Sequence, residues 1–388
     1  MSTYVLYNQT QPYYSIISHL TSPTLCRFRV TSNYPYTMAD PRCYKLVCDR
    51  KVEEIQVTSS AYFTVPSCTF QCETLVNIVL KISMGCFFPP LTTFNLQKLK
   101  LLCFSHGGRY DNIAMLIKSC PLLEVLDMSL NCPLDSPCIS IIAPNLKSLS
   151  FKMRNAIHQH QVIIGAPKLT YLYAISGGSV IDFVMDPIVL DIANIDLTYL
   201  SFLSMREGMD SNEFIRQICK FVAWLSSVRE LHLESNIKLS AYMHSVGSMP
   251  LFGNLSYGRM TLTRSSGVND FLLFLQISPN LEEVFVTFSY EEGNPLADMT
   301  QTAVIVPRLL FNNLDYVNIT GVQGNNDEVD LVSYILRNVI GLNHLYILVD
   351  VDNVVEDEDA RVGKEFKLYK DCFRLPITSL MARVVFSG

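Results

Sequence analysis

Two places in the sequence carry pairs of side chains that could bind a metal ion. His158 and His160 stand two residues apart in "IHQHQ", so both would lie on one face of a strand. A zinc site needs further ligands at metal spacing, and none follows the histidines. Cys68 and Cys72 are separated by three residues, without a second cysteine pair downstream. A polar loop at the histidines and packed cysteines at the second place are therefore the favoured interpretations.

The other stretches that could support chemistry lack the required pattern. The acidic run "DVDNVVEDEDA" at 350–360 has neither the alternating ligands nor the central glycine of an EF-hand, which predicts a solvated loop. No G-x-S-x-G, P-loop or G-x-G-x-x-G motif occurs in a strand-to-helix context. The sequence therefore predicts no catalytic residue, no metal site and no cofactor, in a protein that is not an enzyme.

A repeated motif defines the elements that would position any functional side chain. "APNLKSLSF" begins at Ala143 and "APKLTYLYA" at Ala166, and both read Ala-Pro-x-Leu-x-x-Leu-x-apolar. The lead-in recurs as "SPTL", "CPLL" and "SPNL", where proline fixes φ and ends the preceding segment. Anchors of the form Leu-x-x-apolar-x-apolar follow one another at intervals of 21 to 33 residues. A period in this range with this pattern is typical of leucine-rich repeats.

The anchors predict an α/β leucine-rich-repeat solenoid of about 13 irregular repeats, with a curved parallel sheet on its concave face and helices and turns on its convex face. In each repeat the anchor side chains point inward and bury one another, because neighbouring strands stack about 4.8 Å apart. Helices are predicted within 111–121, 211–227, 267–279 and 325–341, and turns in the short repeat that begins at Leu146. The anchors begin at Leu25, Val52, Leu75, Leu96, Leu123, Leu146, Leu169, Leu197, Val228, Leu281, Leu314 and Leu342, with a distorted copy at Leu255.

The outward side chains between the anchors are the candidates for binding a partner on the concave face. From the first repeats to the last, the candidates change from basic to aromatic and then to acidic and aromatic residues. The three tyrosines of the middle repeats would lie side by side on adjacent strands. The alternative interpretation is that tyrosine and phenylalanine are simply good strand formers. The candidates are Arg27, Arg29, Lys98, Lys100, Tyr171, Tyr173, Tyr199, Glu230, His232, Glu283, Phe285, Tyr316 and Tyr346.

Composition narrows the class of protein. With 49% hydrophobic and 17% charged residues, the 388-residue chain is expected to fold around a large core. The formal net charge of −6 disfavours nucleic acid as a partner, because basic residues supply most of that affinity. No apolar run is long enough to span a membrane, and the start lacks the pattern of a signal peptide. The twelve cysteines are therefore expected to be reduced, which predicts the cytoplasm or the nucleus.

The sequence resembles the plant F-box/leucine-rich-repeat proteins that end in an FBD domain. "SPTLCRFRVTSNY", "RKVEEIQV", "SCPLLEVLDM" and "SPNLEEVFV" look like repeat segments of that family. The segment 306–345, towards the end of the chain, resembles the FBD pattern. It departs from that pattern at Leu309, where cysteine is usual, and at Val339, where alanine is common. It matches the pattern at Val306-Pro307, Leu314, Glu328, Leu331-Val332, Tyr334-Ile335-Leu336, Asn338 and Leu342.

The resemblance implies a protein that docks through its F-box on the Skp-type adaptor of a cullin ubiquitin ligase. The first 24 residues contain no Leu-Pro, no Pro-Asp and no tryptophan, so the F-box is expected to be absent. Binding to adaptor and cullin would then need a substitute for it. The expected organisation is a cap at 1–24, the repeat solenoid at 25–300, and FBD-like repeats with a cap at 301–388.

Three functions remain open from the sequence. The first is a protein-interaction module that recognises the substrate of an F-box-type (SCF) E3 ubiquitin ligase component on its concave face. The second is a stand-alone leucine-rich-repeat binding or decoy protein without a link to the ligase. The third is an enzyme of another parallel-β class, which would place clustered carboxylates on neighbouring strands. Basic and aromatic residues outnumber carboxylates on the outward face of the first seven repeats, which disfavours the enzyme.

Overall fold

A computed structural model of the chain shows a series of short parallel strands. The chain divides into a first unit, Met1–Leu190, and a second unit, Asp191–Gly388. The structure describes residues 3–7, 18–19, 22–31, 41–89, 94–106, 111–131, 138–154, 161–175, 180–184, 189–197, 220–234, 250–263, 267–289, 313–322, 326–349, 370, 379 and 382–387.

The first unit has one main parallel sheet and a second, smaller one. Its helices are α1 (Pro41–Asp49), a 3-10 helix at Ser67–Gln71, and α2 (Asp111–Lys118). The strands are β1 (Thr3–Tyr7), β2 (Arg27–Thr31), β3 (Glu54–Ser59), β4 (Phe63–Thr64), β5 (Asn77–Ile82), β6 (Cys86–Phe87), β7 (Leu101–His106), β8 (Val125–Asn131), β9 (Cys138–Ile142), β10 (Ser148–Arg154), β11 (Gln161–Gly165), β12 (Tyr171–Ile175) and β13 (Val180–Phe183). The main sheet has the order β1-β2-β3-β5-β7-β8-β10-β12, and the short strands β4 and β6 pair beside it.

The second unit repeats this plan with longer helices. Its helices are a 3-10 helix at Leu225–Ser227, α3 (Gly267–Ile277) and α4 (Asn326–Asn338). The strands are β14 (Ile192–Asp196), β15 (Glu230–Glu234), β16 (Tyr257–Thr263), β17 (Glu283–Ser289), β18 (Tyr316–Val322), β19 (His344–Val349) and β20 (Arg383–Ser387). All pair in parallel in the order β14-β15-β16-β17-β18-β19-β20, so the sheet follows the sequence.

The anchor side chains form the core of each unit, as the repeat pattern predicts. Leu146, Leu149 and Phe151 of one repeat are fully buried, and Leu169 and Leu172 of the next are buried directly beside them. Alternate strand residues point to the opposite side, which we call the outward face, and are half-buried or exposed. The predicted leucine-rich-repeat fold is confirmed.

The proline lead-in forms a β-turn before β8, β10, β12 and β17. The N–H of Leu146 donates to the Ala143 carbonyl at 3.1 Å, and Leu169 to Ala166 at 3.1 Å, which places proline at the second turn position that its fixed φ favours. In most repeats of the two long sheets, the residue before the strand accepts two N–H groups from the next repeat. The Glu124 carbonyl, for example, accepts from Lys147 and Ser148 at 2.9 and 3.1 Å. These bonds fix the register between successive strands.

Asparagine after the proline links successive turns. The Asn145 side-chain amide donates to the Pro121 carbonyl at 2.9 Å, and the Asn280 amide to the Gly253 carbonyl at 2.7 Å. Each bond satisfies a turn carbonyl of the preceding repeat that has no partner within its own repeat. The turns are therefore tied together as well as the strands.

Strands replace the predicted turns in the short repeats of the first unit. β9, β11 and β13 form a parallel sheet of their own. Ile139, Val162 and Ile181 lie at paired positions of the three strands and are buried. A full helix does not fit in a repeat of 23 residues, and β-branched side chains at alternate positions favour a strand over a turn. Gly165 is the register partner of Ile142, whose Cδ1 would lie 2.6 Å from a Cβ at position 165.

Two of the predicted anchors have the wrong register. The predicted anchor at Leu96 lies three residues too early, because the N–H of Leu99 donates to the Leu96 carbonyl in the turn and Leu102 is the first buried residue of β7. Several leucines in "LQKLKLL" fit the template equally well. The predicted anchor at Leu197 lies seven residues too late, because the strand is β14 and the buried residues of its repeat are Leu190, Ala193 and Ile195. This segment fits the template as well as the one that begins at Leu197.

The described helices α2, α3 and α4 lie within the predicted helical segments. Of the predicted helix at 211–227, the described part 220–227 is helical, and Phe221, Val222 and Leu225 are buried. The repeat pattern does not predict α1, a short helix whose Tyr44 packs edge-on against Phe28 of β2 at a ring-centroid distance of 5.7 Å.

Candidate interaction surface

The outward face of the second unit carries two rows of side chains across its strands. Residues in a row are register partners, so each is the direct neighbour of the next. The first row is Glu230, Tyr257, Glu283, Tyr316, His344 and Arg383, and the second is His232, Arg259, Phe285, Asn318, Tyr346 and Val385.

Five rings of these two rows stack in one continuous line, which we call the aromatic row: His232, Tyr257, Phe285, Tyr316 and Tyr346. Their successive ring centroids are 5.4, 5.3, 5.2 and 5.3 Å apart, with planes inclined by about 30 to 35°. Successive rings of the aromatic row belong alternately to the second and the first row of side chains. The aromatic row crosses β15 to β19. The spacing of the rings follows from the strands, because diagonal neighbours on one sheet face lie within reach of aromatic side chains.

Charged groups of both signs surround the aromatic row. The guanidinium of Arg259 lies 5.3 Å from the Phe285 ring centroid, a cation–π contact. His232 Nε2 lies 2.9 Å from Glu230 Oε1. The carboxylates Glu230 and Glu283 occupy the register positions on either side of Tyr257. The rings remain half-buried, so a partner could cover the rest of their surface.

The predicted candidates of the second unit lie on this outward face. Glu230 and His232 are on β15, Glu283 and Phe285 on β17, and Tyr316 on β18. Tyr346, on β19, completes the set. Their role in binding stays a prediction.

In the first unit, the predicted arginine candidates form ion pairs with a carboxylate of the next strand. Arg27 and Arg29 lie on β2 as predicted, but both form ion pairs with Glu54 of β3, at 3.2 and 2.9 Å. Glu54 is the register partner of Arg27, which the repeat template alone does not reveal. The two arginines therefore share one carboxylate and keep one net positive charge on this part of the outward face.

Lys98 and Lys100 do not lie on the outward face of a strand, which corrects the prediction. The three-residue register error puts Lys98 in the turn and Lys100 immediately before β7. Lys100 Nζ lies 3.4 Å from one oxygen of Glu124, and Lys147 Nζ lies 2.8 Å from the other. The hydrogen bond from Lys147, with that from Lys100, lowers the pKa of the Glu124 carboxyl.

Only two of the three clustered tyrosines lie on a described strand. Tyr171 and Tyr173 point from the outward face of β12, and Lys152 Nζ lies 5.2 Å from the Tyr173 ring centroid. Tyr199 lies outside the described residues. The predicted alignment of the three tyrosines on adjacent strands therefore stays a prediction.

Tyr257, Arg259 and His344 belong to this surface but were not among the predicted candidates. The signal for the first two is present in "NLSYGRMTL", where Gly258 occupies the buried anchor position and Tyr257 and Arg259 flank it. A template that accepts glycine at that anchor would have placed both on the outward face. The space at position 258 is tight for any side chain, because a Cβ there would lie 3.1 Å from the Phe274 ring of α3.

The described parts of the chain contain no group of three or more His, Cys, Asp or Glu side chains arranged to hold a metal ion. In those same parts, no helix is long and apolar enough to cross a membrane. His158, His160 and the acidic run at 350–360 lie outside the described residues.

Comparison with protein families identifies the repeat array. The family model described as FBD-associated F-box protein At5g56370, LRR repeats, matches residues 42–255, more than half of the chain. The chain belongs to the FBD-associated F-box leucine-rich-repeat family. The FBD family model matches residues 303–340 of this FBD-associated protein, a range that includes β18 and α4. This match confirms the resemblance to the FBD pattern found at 306–342.

Individual relatives of this FBD-associated protein come from Arabidopsis thaliana. F-box/LRR-repeat protein 13 is 27% identical over 84% of this chain and 72% of its own length. The putative F-box/FBD/LRR-repeat protein At5g22670 is 26% identical over 83% of this chain and 73% of its own length. F-box/FBD/LRR-repeat protein At5g18770 is 23% identical, and the chain spans about half of that protein, 52%. The FBD-associated chain is thus an interaction module of the F-box-protein type, from families that are typically not enzymes.

Proposed function

We propose that this chain is the substrate-recognition part of an F-box-type (SCF) E3 ubiquitin ligase component and that it binds a target protein on the outward face of the second unit. The observation that carries the proposal is the aromatic row. Its rings are held by a sheet and by one another, so they would lose little conformational freedom on binding while contributing a large contact area. The similarity to Arabidopsis F-box/FBD/LRR-repeat proteins supports the link to a ligase.

The charges around the aromatic row favour one kind of target segment. Glu230 and Glu283 flank Tyr257, whereas the guanidinium of Arg259 already lies over Phe285 and Arg383 stands at the far end of the first row, on β20. A target that presents a lysine or arginine beside apolar side chains would pair with the carboxylates and cover the exposed ring edges. We expect such a segment in the bound protein.

The mechanism follows from this assignment. The chain holds the target close to the ubiquitin-transfer machinery and raises its effective concentration there, while that machinery supplies the chemistry. No residue of this chain is expected to turn over a substrate. We also propose the cytoplasm or the nucleus as its compartment, which the free thiols of nine described cysteines support.

Proximity labelling in plant cells tests the target site. The chain, fused to a biotin ligase, is compared with the variant Tyr257→Ser/Phe285→Ser. The matched control is Tyr171→Ser/Tyr173→Ser, which removes two outward-facing tyrosines of the first unit. A true target should be labelled by the wild type and by the control, and about 30-fold or more weakly by the aromatic-row variant, because two such residues contribute at least 2 kcal/mol. Equal labelling by the two variants would exclude the aromatic row as the site.

Binding of the Skp-type adaptor tests the link to the ligase. The purified chain is passed over immobilised adaptor and cullin, with an F-box relative that retains them as the positive control. Retained adaptor, together with accumulation of the labelled targets after the chain is depleted, would support a ligase receptor. No retention beside a working control would leave a binding module without ubiquitin transfer.

A further inference from the structure

Charge changes sign along the outward face of the second unit. On β15 to β17 this face carries three carboxylates, those of Glu230, Glu234 and Glu283, and one guanidinium, that of Arg259, which gives a net charge of −2. On β18 to β20 Arg383 is the one lysine, arginine, aspartate or glutamate, which gives a net charge of +1. The face therefore has an acidic side and a basic side, and the aromatic row extends from one towards the other.

Two exposed charges of opposite sign stand in one register-matched line. The line runs from Glu283 on β17 through Tyr316 and His344 to Arg383 on β20. Three strand spacings of about 4.8 Å separate its ends, which gives a distance of about 14 Å. Glu283 and Arg383 are both exposed, and within the described part of the chain neither takes part in an ion pair. Both can therefore pair with charges of a partner.

Exposed apolar side chains extend the aromatic row on the basic side. Val385 of β20 is the register partner of Tyr346 and is 39% exposed. Leu348 follows Tyr346 by two residues on the same face of β19 and is 42% exposed. Apolar surface therefore continues from the rings to the strand that carries Arg383. A partner that covers it gains from the burial of apolar area in addition to the ion pairs.

An extended segment matches the distance between the two charges. Such a segment rises about 3.3 Å per residue, and its residues i, i+2 and i+4 point to one face. Residues i and i+4 are then about 13 Å apart, which fits the separation of Glu283 from Arg383 and places residue i+2 beside Tyr316. On a helix, the pairs on one face that come nearest to this distance are i, i+7 and i, i+11, at about 10 and 16 Å, so that a helix fits less well.

We infer that this face binds an extended segment of a target protein in which a basic and an acidic residue are four positions apart, with an apolar residue midway. The lysine or arginine of the segment pairs with Glu283, the aspartate or glutamate pairs with Arg383, and the apolar side chain covers Tyr316. The segment therefore crosses β17 to β20. The inference rests on the proposed target site and adds to it the acidic residue and the spacing.

Photo-cross-linking of the full chain to synthetic peptides tests the spacing. Each peptide consists of about sixteen residues, mainly serine and glycine, with one lysine, one glutamate, and p-benzoylphenylalanine two positions after the lysine. The glutamate follows the lysine by three, four, five, seven or eleven positions, and a further peptide has serine in its place. We expect the spacing of four to be cross-linked at least about threefold more than every other peptide, the contribution of one exposed ion pair. The cross-link should map to β18, in the tryptic peptide 309–337.

Variants separate the ion pair at Arg383 from a general effect of charge. Arg383→Ala should reduce cross-linking of the spacing-four peptide at least about threefold and leave the serine peptide unchanged. Arg337→Ala, which removes an exposed arginine of α4 in the same unit, should change neither.

Three results with the wild-type chain would overturn the inference. They are equal yields with the spacing-four and the serine peptide, a preference for seven or eleven positions, which would indicate a helix, and no cross-link in the peptide 309–337. None of them requires Arg383→Ala to fold. The first two leave the aromatic row as the target site, whereas failure of the proposed function would appear as undiminished target labelling by Tyr257→Ser/Phe285→Ser.

Discussion

Gly258 occupies the buried anchor position of its repeat, where most repeats carry leucine, isoleucine or valine. An ideal Cβ at Gly258 would lie 3.1 and 3.2 Å from two ring carbons of Phe274 and 3.4 Å from Leu281 Cδ1. Phe274 is buried in α3 and Leu281 in the adjacent turn, so neither has free space to move into. Gly258→Leu, which restores the repeat consensus, should therefore destabilise the protein.

The expected loss of unfolding free energy is about 2 to 3 kcal/mol, the upper part of the range for overpacked cores, because a leucine adds four carbon atoms to a site that is already tight for one. Urea unfolding is followed by the fluorescence of Trp224, the single tryptophan of the chain, which lies in the second unit. The control is Gly253→Ala in the turn of the same repeat, where an added Cβ has no atom within 4 Å. Its effect should stay within about 0.5 kcal/mol, or be slightly stabilising.

A double-mutant cycle identifies the cause. If the Phe274 ring is what excludes a side chain at 258, Gly258→Leu should cost at least about 1 kcal/mol less in a Phe274→Ala background than in the wild type, because the leucine then fills the space left by the ring. Two results would refute the reasoning: a stabilising Gly258→Leu, or additive effects of the two substitutions. Either would mean that the glycine is not selected by the packing of α3 on β16.

Three further predictions concern stability, each measured by chemical unfolding. Lys51, just after α1, has a φ of +58°, so Lys51→Gly should raise the unfolding free energy by about 1 kcal/mol; a loss would show that the lysine side chain matters more than its backbone. Leu149→Asp should cost several kcal/mol and reduce the far-UV circular dichroism of several repeats, because it buries an unpaired charge in a fully buried position. Phe285→Leu removes ring contacts to Tyr257 and Tyr316 and should cost about 1 to 2 kcal/mol without loss of the fold; no measurable cost would mean that the stack does not stabilise the sheet.

The parts of the fold that recur with the repeat period could be predicted from the sequence. Leu146-Leu149-Phe151 and Leu169-Leu172 are buried as predicted, because each strand needs the same inward residues at the same positions after its turn. The described helices α2 to α4 fall within the predicted segments, because each has its own apolar stripe. These features depend on short stretches of sequence that can be recognised one at a time.

Predictions failed where several residues fit the template or where a small residue replaced the leucine. Leu96, Leu99 and Leu102 compete for one anchor, and the turn hydrogen bond of Leu99 decides between them. That error displaced Lys98 and Lys100 from the strand. Leu190-Ala193-Ile195 competes in the same way with the segment that begins at Leu197. Gly258 is a buried anchor without a side chain, and missing it removed Tyr257 and Arg259 from the candidates.

By itself, the sequence determined the repeat architecture, the family and the inward apolar rows. Only the tertiary structure decided which outward side chains are neighbours: Glu54 beside Arg27 and Arg29, and the five stacked rings from β15 to β19. The physical reason is that such partners come from different repeats, so that their contact depends on the register between repeats. The turns and the shared carbonyls set that register, and a pattern confined to one repeat does not contain it.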